Sequence, residues 1–466
     1  GGSSGATMLM PVESWGYSYV SVNFRQFVNG IASGDGCFSW MFVVANENNT
    51  VLEINPSVPL RNGRPANQPF TVTLQRGQIY QVVAAAIDRF SGHDLTGTRV
   101  KSVANSNNEC LPIAVFSGSS STAINCNNSL SGFADNMIQQ AFPVQAWGKK
   151  YLTAPFSSST NASVLNETIY RIVVKDPSVP VYRNGVQLTN IVGNIFYEFR
   201  SKTADVIESA KPIMVAQYMP SMGEGINTGC DYTGVGDPEM IYLSPLEQSI
   251  AQVGFYRNTA AVIDVNYLTL IIHKEGVKSL RIDGSNTFSH VYDHPNMPGY
   301  AVVIQRWTAA KAQCLVKSDS LFTTVTYGLG RYDSYGYNAG TMINNLGGTS
   351  YIENPEGNLD GNYDFACINS PTELSILMSY TPEKLVWHLS KNNTISPNRD
   401  VEQNAPVAID TISIKGVDYF RFKLPDSYQF TKAGLQIVEV SSTHPELDNC
   451  NNTEKIKLEI EVKDVG

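Results

Sequence analysis

Apolar and polar residues alternate along this chain in short runs, each broken by Gly, Asn, Asp or Pro. The clearest run is near the end, where Ile456, Leu458, Ile460 and Val462 alternate with Lys457, Glu459, Glu461 and Lys463. A two-residue period puts one set on a core face and the other in water, which predicts a half-exposed antiparallel strand. No long segment keeps the period of roughly 3.6 that an amphipathic helix needs, so helices should be few and short. Asn184-Gly185 and Asp283-Gly284 are tight-hairpin dipeptides, because both central residues tolerate positive φ. The pattern predicts an all-β protein.

The chain also repeats itself. Pro11-Val12-Glu13-Ser14-Trp15-Gly16-Tyr17-Ser18-Tyr19 returns as Pro143-Val144-Gln145-Ala146-Trp147-Gly148-Lys149-Lys150-Tyr151, with Phe24 and Phe156 at the same offset. Met41-Phe42-Val43-Val44 resembles Tyr170-Arg171-Ile172-Val173-Val174, and Gly77-Gln78-Ile79-Tyr80 resembles Gly193-Asn194-Ile195-Phe196-Tyr197. Leu111-Pro112-Ile113-Ala114-Val115-Phe116 resembles Lys211-Pro212-Ile213-Met214-Val215-Ala216. A third, worn copy starts near Pro245, continues through Tyr267–Ile272 and ends near Thr323–Tyr327, without the Trp-Gly pair. The expected units are 1–140, 141–243 and 244–340. Each suits a small β-sandwich and is too long for one propeller blade, so three packed sandwich-like units are expected, with a propeller-like ring as the alternative. Trp15 and Trp147, at equivalent positions, are expected to pack one copy on the next.

An Asn/Gly-rich stretch over 338–362 reads as a boundary, with 341–362 as the linker, before a different domain at 363–466. Its candidate strands are 374–380, 384–389, 417–424, 435–441 and 455–463. Cys367 precedes the first, Trp387 lies in the second and Cys450 comes just before the last, which predicts an immunoglobulin-like sandwich with a Cys367–Cys450 bridge over a buried Trp. Such a bridge would contribute about 4 kcal/mol.

At 466 residues the chain should divide into several domains. Charged residues are only 16%, and the net charge is −9, which argues against a nucleic-acid surface built on clustered Lys and Arg. No apolar run reaches the length of a membrane span, about 18 residues or more. The start Gly1-Gly2-Ser3-Ser4-Gly5 carries neither Met nor an apolar leader and reads as an excised piece. Seven cysteines, none in C-x-x-C or at zinc-finger spacing, lie at strand ends or in polar loops and point to disulfides in an oxidising compartment. An odd count leaves one over. Asn-x-Ser/Thr triplets at Asn48, Asn127, Asn161, Asn166, Asn392 and Asn451 are candidate glycosylation sites.

Four motifs in order resemble the N-terminal domain of the IgG Fc-binding protein family over about 5–340. They are Pro11–Gly16, Asp94-Leu95-Thr96-Gly97-Thr98-Arg99-Val100, Pro112-Ile113-Ala114-Val115-Phe116-Ser117-Gly118 and Pro143–Gly148. The resemblance implies a secreted or cell-surface, non-enzymatic interaction module, and it names no ligand-contacting residue. It also implies a paired-cysteine loop after the Pro-Ile-Ala-Val strand, which makes Cys110–Cys126 the first-choice bridge there. Cys37, Cys230 and Cys314 are left unassigned.

Candidate chemistry is sparse. The chain has no G-x-S-x-G, H-E-x-x-H or phosphate loop. Gly223–Gly229 has the wrong glycine spacing for a dinucleotide and reads as a loop. Among six histidines only His290 and His294 cluster, with Asp293 between; Pro295 and Pro298 follow, so a hairpin tip is read there and not a metal site. His93-Asp94 is read as making local turn hydrogen bonds. Asp237 and Glu239 stand at the third repeat joint and Asp135 at the matching joint before the second. A repeated acid of this kind serves a turn more readily than catalysis, though it keeps a glycosidase-type pair open. Asn354, Glu356, Asn358, Asp360 and Asp364 make the 354–364 linker a candidate calcium site, set against a plain solvated linker. No catalytic residue and no cofactor is assigned.

The sequence therefore predicts an extracellular adhesion or binding module within a larger surface, mucus or matrix protein, recognising a glycoprotein or glycan through loops on a rigid scaffold. The alternatives are a structural spacer, which the surplus cysteine favours through covalent self-assembly, and a carbohydrate-active enzyme.

Overall fold

In this computed structural model the described residues are 5–27, 38–88, 90–127, 134–221, 229–230, 235–258, 263–308, 312–343, 348–353, 365–414, 417–445 and 452–464. They contain strands and short 3-10 turns and no α-helix. The chain packs as two compact units, Gly1–Lys101 with Leu111–Ile343, and Asn344–Gly466 with Ser102–Cys110.

In the larger unit each copy opens on the same turn. Val12–Ser14, Val144–Ala146 and Leu246–Gln248 are 3-10 turns that follow Pro11, Pro143 and Pro245. Proline fits this position because its φ is preset and it has no N–H to leave unpaired. The indole N–H of Trp15 donates to Met10 O at 3.2 Å and that of Trp147 to Phe142 O at 3.3 Å. Trp147 is buried and Trp15 half-buried. A repeated tyrosine then ties turn to sheet. The Tyr19 hydroxyl accepts from Gly16 N–H and donates to Ile113 O at 2.7 Å, and Tyr151 does the same with Gly148 and Ile213, also at 2.7 Å.

The sheets follow from one long strand per copy. In the second copy Val206–Met219 pairs with Gly148–Leu152 near its start and with Thr168–Val174 and Glu239–Tyr242 near its end, joining eight strands. Gln313–Gly330 does likewise in the seven-stranded sheet of the third copy. In the first copy the same strand is split into Arg99–Val103 and Ile113–Thr122, so two four-stranded sheets result. Their strands Ser39–Ala45 and Thr50–Asn55 bury alternate residues, and Met41, Val43, Leu52, Ile54 and Val115 share one core.

Close approach of consecutive copies explains the Trp-Gly glycines. A Cβ on Gly16 would lie 2.4 Å from the Cβ of Pro143, and one on Gly148 would lie 2.2 Å from the Cβ of Pro245. The third copy has Ile250 at that position, and no further Pro turn follows it among the described residues of this unit. A buried ion cluster also joins copies one and two. Arg171 donates to Asp94 Oδ2 at 2.6 Å, Glu198 Oε2 at 2.7 Å and Asn23 O at 2.8 Å, with its guanidinium over Phe24 and Phe196. Burial alone would lower its pKa, but Asp94, Tyr218 and Glu198 more than offset this and hold it firmly cationic.

The smaller unit is a sandwich. A four-stranded sheet (Gly348–Glu353, Glu373–Met378, Val417–Lys423, Asp410–Ile414) and a five-stranded one (Phe365–Cys367, Thr453–Lys463, Gly434–Thr443, Lys384–Trp387, Val401–Asn404) supply its core. Ile376, Phe422, Trp387, Val440 and Leu458 meet there, and the Trp387 indole donates to Gln403 Oε1 at 2.8 Å. Ile456, Leu458, Ile460 and Val462 are all buried, as the alternation requires.

Both expected bridges are overturned. Cys126 joins Cys230, Cα atoms 4.9 Å apart, and Cys110 is disulfide-bonded elsewhere than to Cys126. The reason is that loops at matching places in copies one and two lie side by side. Cys367 carries a free thiol. It sits opposite Lys463 at the end of the last strand. Cys314 is buried in the third copy, and Cys37 and Cys450 lie outside the described residues.

Candidate functional site

One end of the three-copy unit gathers the features that sequence reading scattered. Each long strand turns there into a closing strand. Thr122 pairs with Asp135, Met219 with Glu239 and Gly330 with Asp333. In the first two copies the connection is a long loop, and the two loops are tied to each other. Besides the Cys126–Cys230 bond, Ile124 N–H donates to Ser221 Oγ and Ser221 N–H donates to Ile124 O, each at 2.9 Å. In the third copy the connection is the two-residue turn Arg331-Tyr332.

Tyr332 has φ 62°, the left-handed region that a bulky residue enters only under strain. Tyr332 is 41% exposed, and the Arg331 guanidinium lies 5.0 Å from the centroid of its ring. An exposed, pre-positioned aromatic of this kind can stack on a sugar ring or an apolar side chain.

Beneath the loops the closing strands dock on one another. Gln139 Nε2 donates to Gly336 O at 3.0 Å, Asn338 Nδ2 to Tyr242 O at 2.9 Å, and Ser334 Oγ bridges Asp237 N–H and O. This brings together Asp135, Asp237 and Glu239, the acids singled out in the sequence, and adds Asp333. Their exposures are 2%, 4%, 0% and 9%. Asp237 Oδ1 and both Glu239 carboxylate oxygens are buried without a hydrogen-bond partner. Burial, then the Asp135 and Asp333 charges, push the Asp237 carboxyl up to about 7. Burial and the same neighbours, with Asp237, hold Glu239 well above the usual carboxylate range. Perturbed acids often mark active sites, but Glu239 is wholly enclosed and offers no surface to a substrate. Asp333 carries no sequence motif; only its place at the start of the third closing strand could have found it.

The other singled-out residues lie elsewhere. His290 and Tyr292 stack on the hairpin strand His290–Asp293, and His294, buried in its turn, is pushed down to about 4 by desolvation. Asp94 Oδ1 accepts from Thr96 N–H at 3.0 Å, the expected turn bond, while Oδ2 serves Arg171. Asn48, Asn127 and Asn161 are exposed. Asn166 and Asn392 are buried, and Asn392 Nδ2 donates to Ile437 O, a bond a sugar there would displace. Asn451, Gly223–Thr228 and the 354–364 acids lie outside the described residues. Among the described residues no group of three or more His, Cys, Asp and Glu is placed to hold a metal ion, and no helix is long and apolar enough to cross a membrane.

Among solved structures, the C-terminal domain of the Streptococcus pyogenes antigen I/II-family protein AspA is similar at 10% identity and a TM-score of 0.13, over 46% of this chain and 99% of that one. A likeness that slight carries no argument. No curated protein matches the chain. The profile of the family described as IgGFc binding protein matches residues 5–328. That span exceeds half of the 466 residues, so the chain belongs to the IgGFc binding protein family, a family of binding domains and not of enzymes.

Proposed function

We propose that this is an extracellular binding module whose ligand, a glycoprotein or glycan of a surface, mucus or matrix assembly, docks on the loop end of the larger unit. The observation that carries the reading is Tyr332, exposed and held at φ 62° in the turn beside the tied loops. Backbone strain persists only where the surroundings enforce it, and it concentrates at ligand-contacting sites. The Cys126–Cys230 bond supports the same reading, because a cross-link at the docking end reduces the entropy lost on binding.

The test is binding of the chain to a panel of secreted and surface glycoproteins and their released glycans, with Tyr332→Ala alongside. Retained folding with binding reduced about tenfold or more supports the reading, since one buried aromatic contact is worth at least ~1.4 kcal/mol. Unchanged binding places the ligand elsewhere. The spacer alternative rests on Cys367, whose free thiol suits covalent assembly. It predicts no ligand and partners released only by reductant.

A further inference from the structure

The smaller unit lies beyond residue 328, where the match to the family of binding domains ends. In its five-stranded sheet Lys384–Trp387 pairs on one side with Val401–Asn404 and on the other with Gly434–Thr443. Trp387 is opposite Val401 and Val440, so the next residue, His388, stands between Asp400 on one neighbour and Glu439 on the other. Its N–H donates to Glu439 O at 2.9 Å, which carries the ladder one residue further. Residues opposite one another, and residues two apart along a strand, share a sheet face, so Asp400 and Ser441 lie on the face of His388. An acid and a hydroxyl from two different strands thus flank one imidazole.

The distances make a relay. His388 Nε2 and Ser441 Oγ are 2.7 Å apart, and His388 Nδ1 lies 3.6 Å from Asp400 Oδ2. The second gap is long for a hydrogen bond, and bonds of this kind tighten when a substrate is held. Asp400 is fixed through its other oxygen, which accepts from Ser390 N–H at 2.9 Å. That bond first, and His388 after it, hold the Asp400 carboxyl below the usual carboxylate range, so it is an anion. An anion facing Nδ1 draws the ring proton there and leaves the Nε2 lone pair to accept from the Ser441 hydroxyl. Trp387, wholly buried just before His388, and the turn Leu389–Lys391 just after it anchor the backbone that carries the ring. The three side chains are within reach of solvent: His388 is 21% exposed, Asp400 45%, and Ser441 is half-buried. Water alone could satisfy a serine in this setting. What the arrangement adds is a base aligned on its proton and an anion aligned on the base.

We propose that Ser441, His388 and Asp400 are the nucleophile, general base and orienting acid of an acyl-transfer site that cleaves small carboxylic esters on the sheet face of the smaller unit. The Ser441 Oγ–H bond breaks as Oγ bonds to the ester carbonyl carbon, and the proton passes to His388 Nε2. The bond from that carbon to the leaving alcohol oxygen then breaks, and His388 gives the proton to the departing oxygen. Water attacks the acyl-serine next, with His388 taking a proton from it. The carboxylic acid leaves, and Ser441 Oγ recovers the proton from His388. Asp400 stays ionised throughout and steadies the imidazolium. Ser441 is paired on both sides, with Val386 and Lys455, so its own backbone groups serve the ladder. Stabilising the charge that develops on the carbonyl oxygen falls to Lys455, exposed and directly opposite Ser441 in register. A sheet face encloses less of a ligand than a cleft does, which limits the substrates to small esters. This activity is independent of the docking proposed for the larger unit.

The experiment treats the full chain with a fluorophosphonate and maps the adduct by mass spectrometry, with Ser441→Ala, His388→Asn, Asp400→Asn and Asp400→Glu beside the wild type. Labelling forms the Ser441 Oγ–P bond, expels fluoride and passes the hydroxyl proton to His388. The adduct should fall on Ser441. Its rate of formation should drop about a hundredfold or more in His388→Asn. It should drop about tenfold or more in Asp400→Asn and recover in part in Asp400→Glu, with Tm the same in both. A nitrophenyl acetate should give a burst of nitrophenol and then slow turnover, both lost in Ser441→Ala. A missing or misplaced adduct, a missing burst, or labelling of His388→Asn at the wild-type rate overturns the proposal. If a variant fails to fold, the position of the wild-type adduct and the wild-type burst decide alone.

Discussion

Gly148 and Pro245 touch so closely that a Cβ on the glycine would fall 2.2 Å from the proline Cβ, and 2.8 Å from Glu247 Oε2. Neither atom can yield easily, because Pro245 opens a 3-10 turn whose residues are all buried. We therefore expect Gly148→Ala to destabilise the larger unit by ~1–3 kcal/mol, the usual cost of overpacking. Chemical denaturation checks this. Gly254, whose φ is not in the left-handed region and where a Cβ would meet only Cys314 O at 3.9 Å, serves as the control.

The Cys126–Cys230 bond closes a loop of 104 residues spanning two copies. Loop entropy assigns a cross-link of that length about 4–5 kcal/mol in the chain-entropy account. Replacing both cysteines with Ser should lower stability by up to that amount. It should also expose the loop end first, which limited proteolysis mapped by mass spectrometry will report.

Tyr332→Gly should do opposite things to stability and function. Glycine occupies φ 62° without strain, so the variant should gain about 1 kcal/mol. Ligand binding should fall, because the exposed ring is gone. A variant that loses both, or gains both, contradicts the role assigned to this turn.

His294 should make folding acid-sensitive. Its imidazole is pushed down to about 4 by burial, so between about 6.5 and 4 the unfolded chain binds a proton that the folded chain refuses. Stability contributed by the neutral ring is thus whole above pH 6.5 and is lost as the pH falls toward 4. Replacing His294 with Asn should reduce the steepness of acid unfolding in that window, read by Tm against pH.

Much of this was legible in the sequence because β-structure writes itself with period two, and repeats write themselves twice. The alternation at 456–463 gave the last strand, and the shared Pro-x-x-x-Trp-Gly-x-x-Tyr gave the turn and the tyrosine that pins it. What did not show was chemistry made by long-range meeting. Arg171 looks like any strand residue, yet it ties Asp94 to Glu198 across two copies. Asp333 has no motif and joins the junction only when the third strand closes. The cysteine pairing is long-range in the same way: the family resemblance implies Cys110–Cys126, whereas the partner of Cys126 lies 104 residues on in the equivalent loop. Cys367 and Cys450 fit the Cys…Trp…Cys order of an immunoglobulin-like bridge, but Cys367 pairs in parallel with Lys463 and its thiol is free.

Whether the loop end binds a partner is tested by capture with the immobilised chain from secreted and surface material under non-reducing conditions. A specific glycoprotein or glycan should elute without reductant and be lost with Tyr332→Ala. Recovery of partners only after reduction, or equal recovery by wild type and variant, would contradict it.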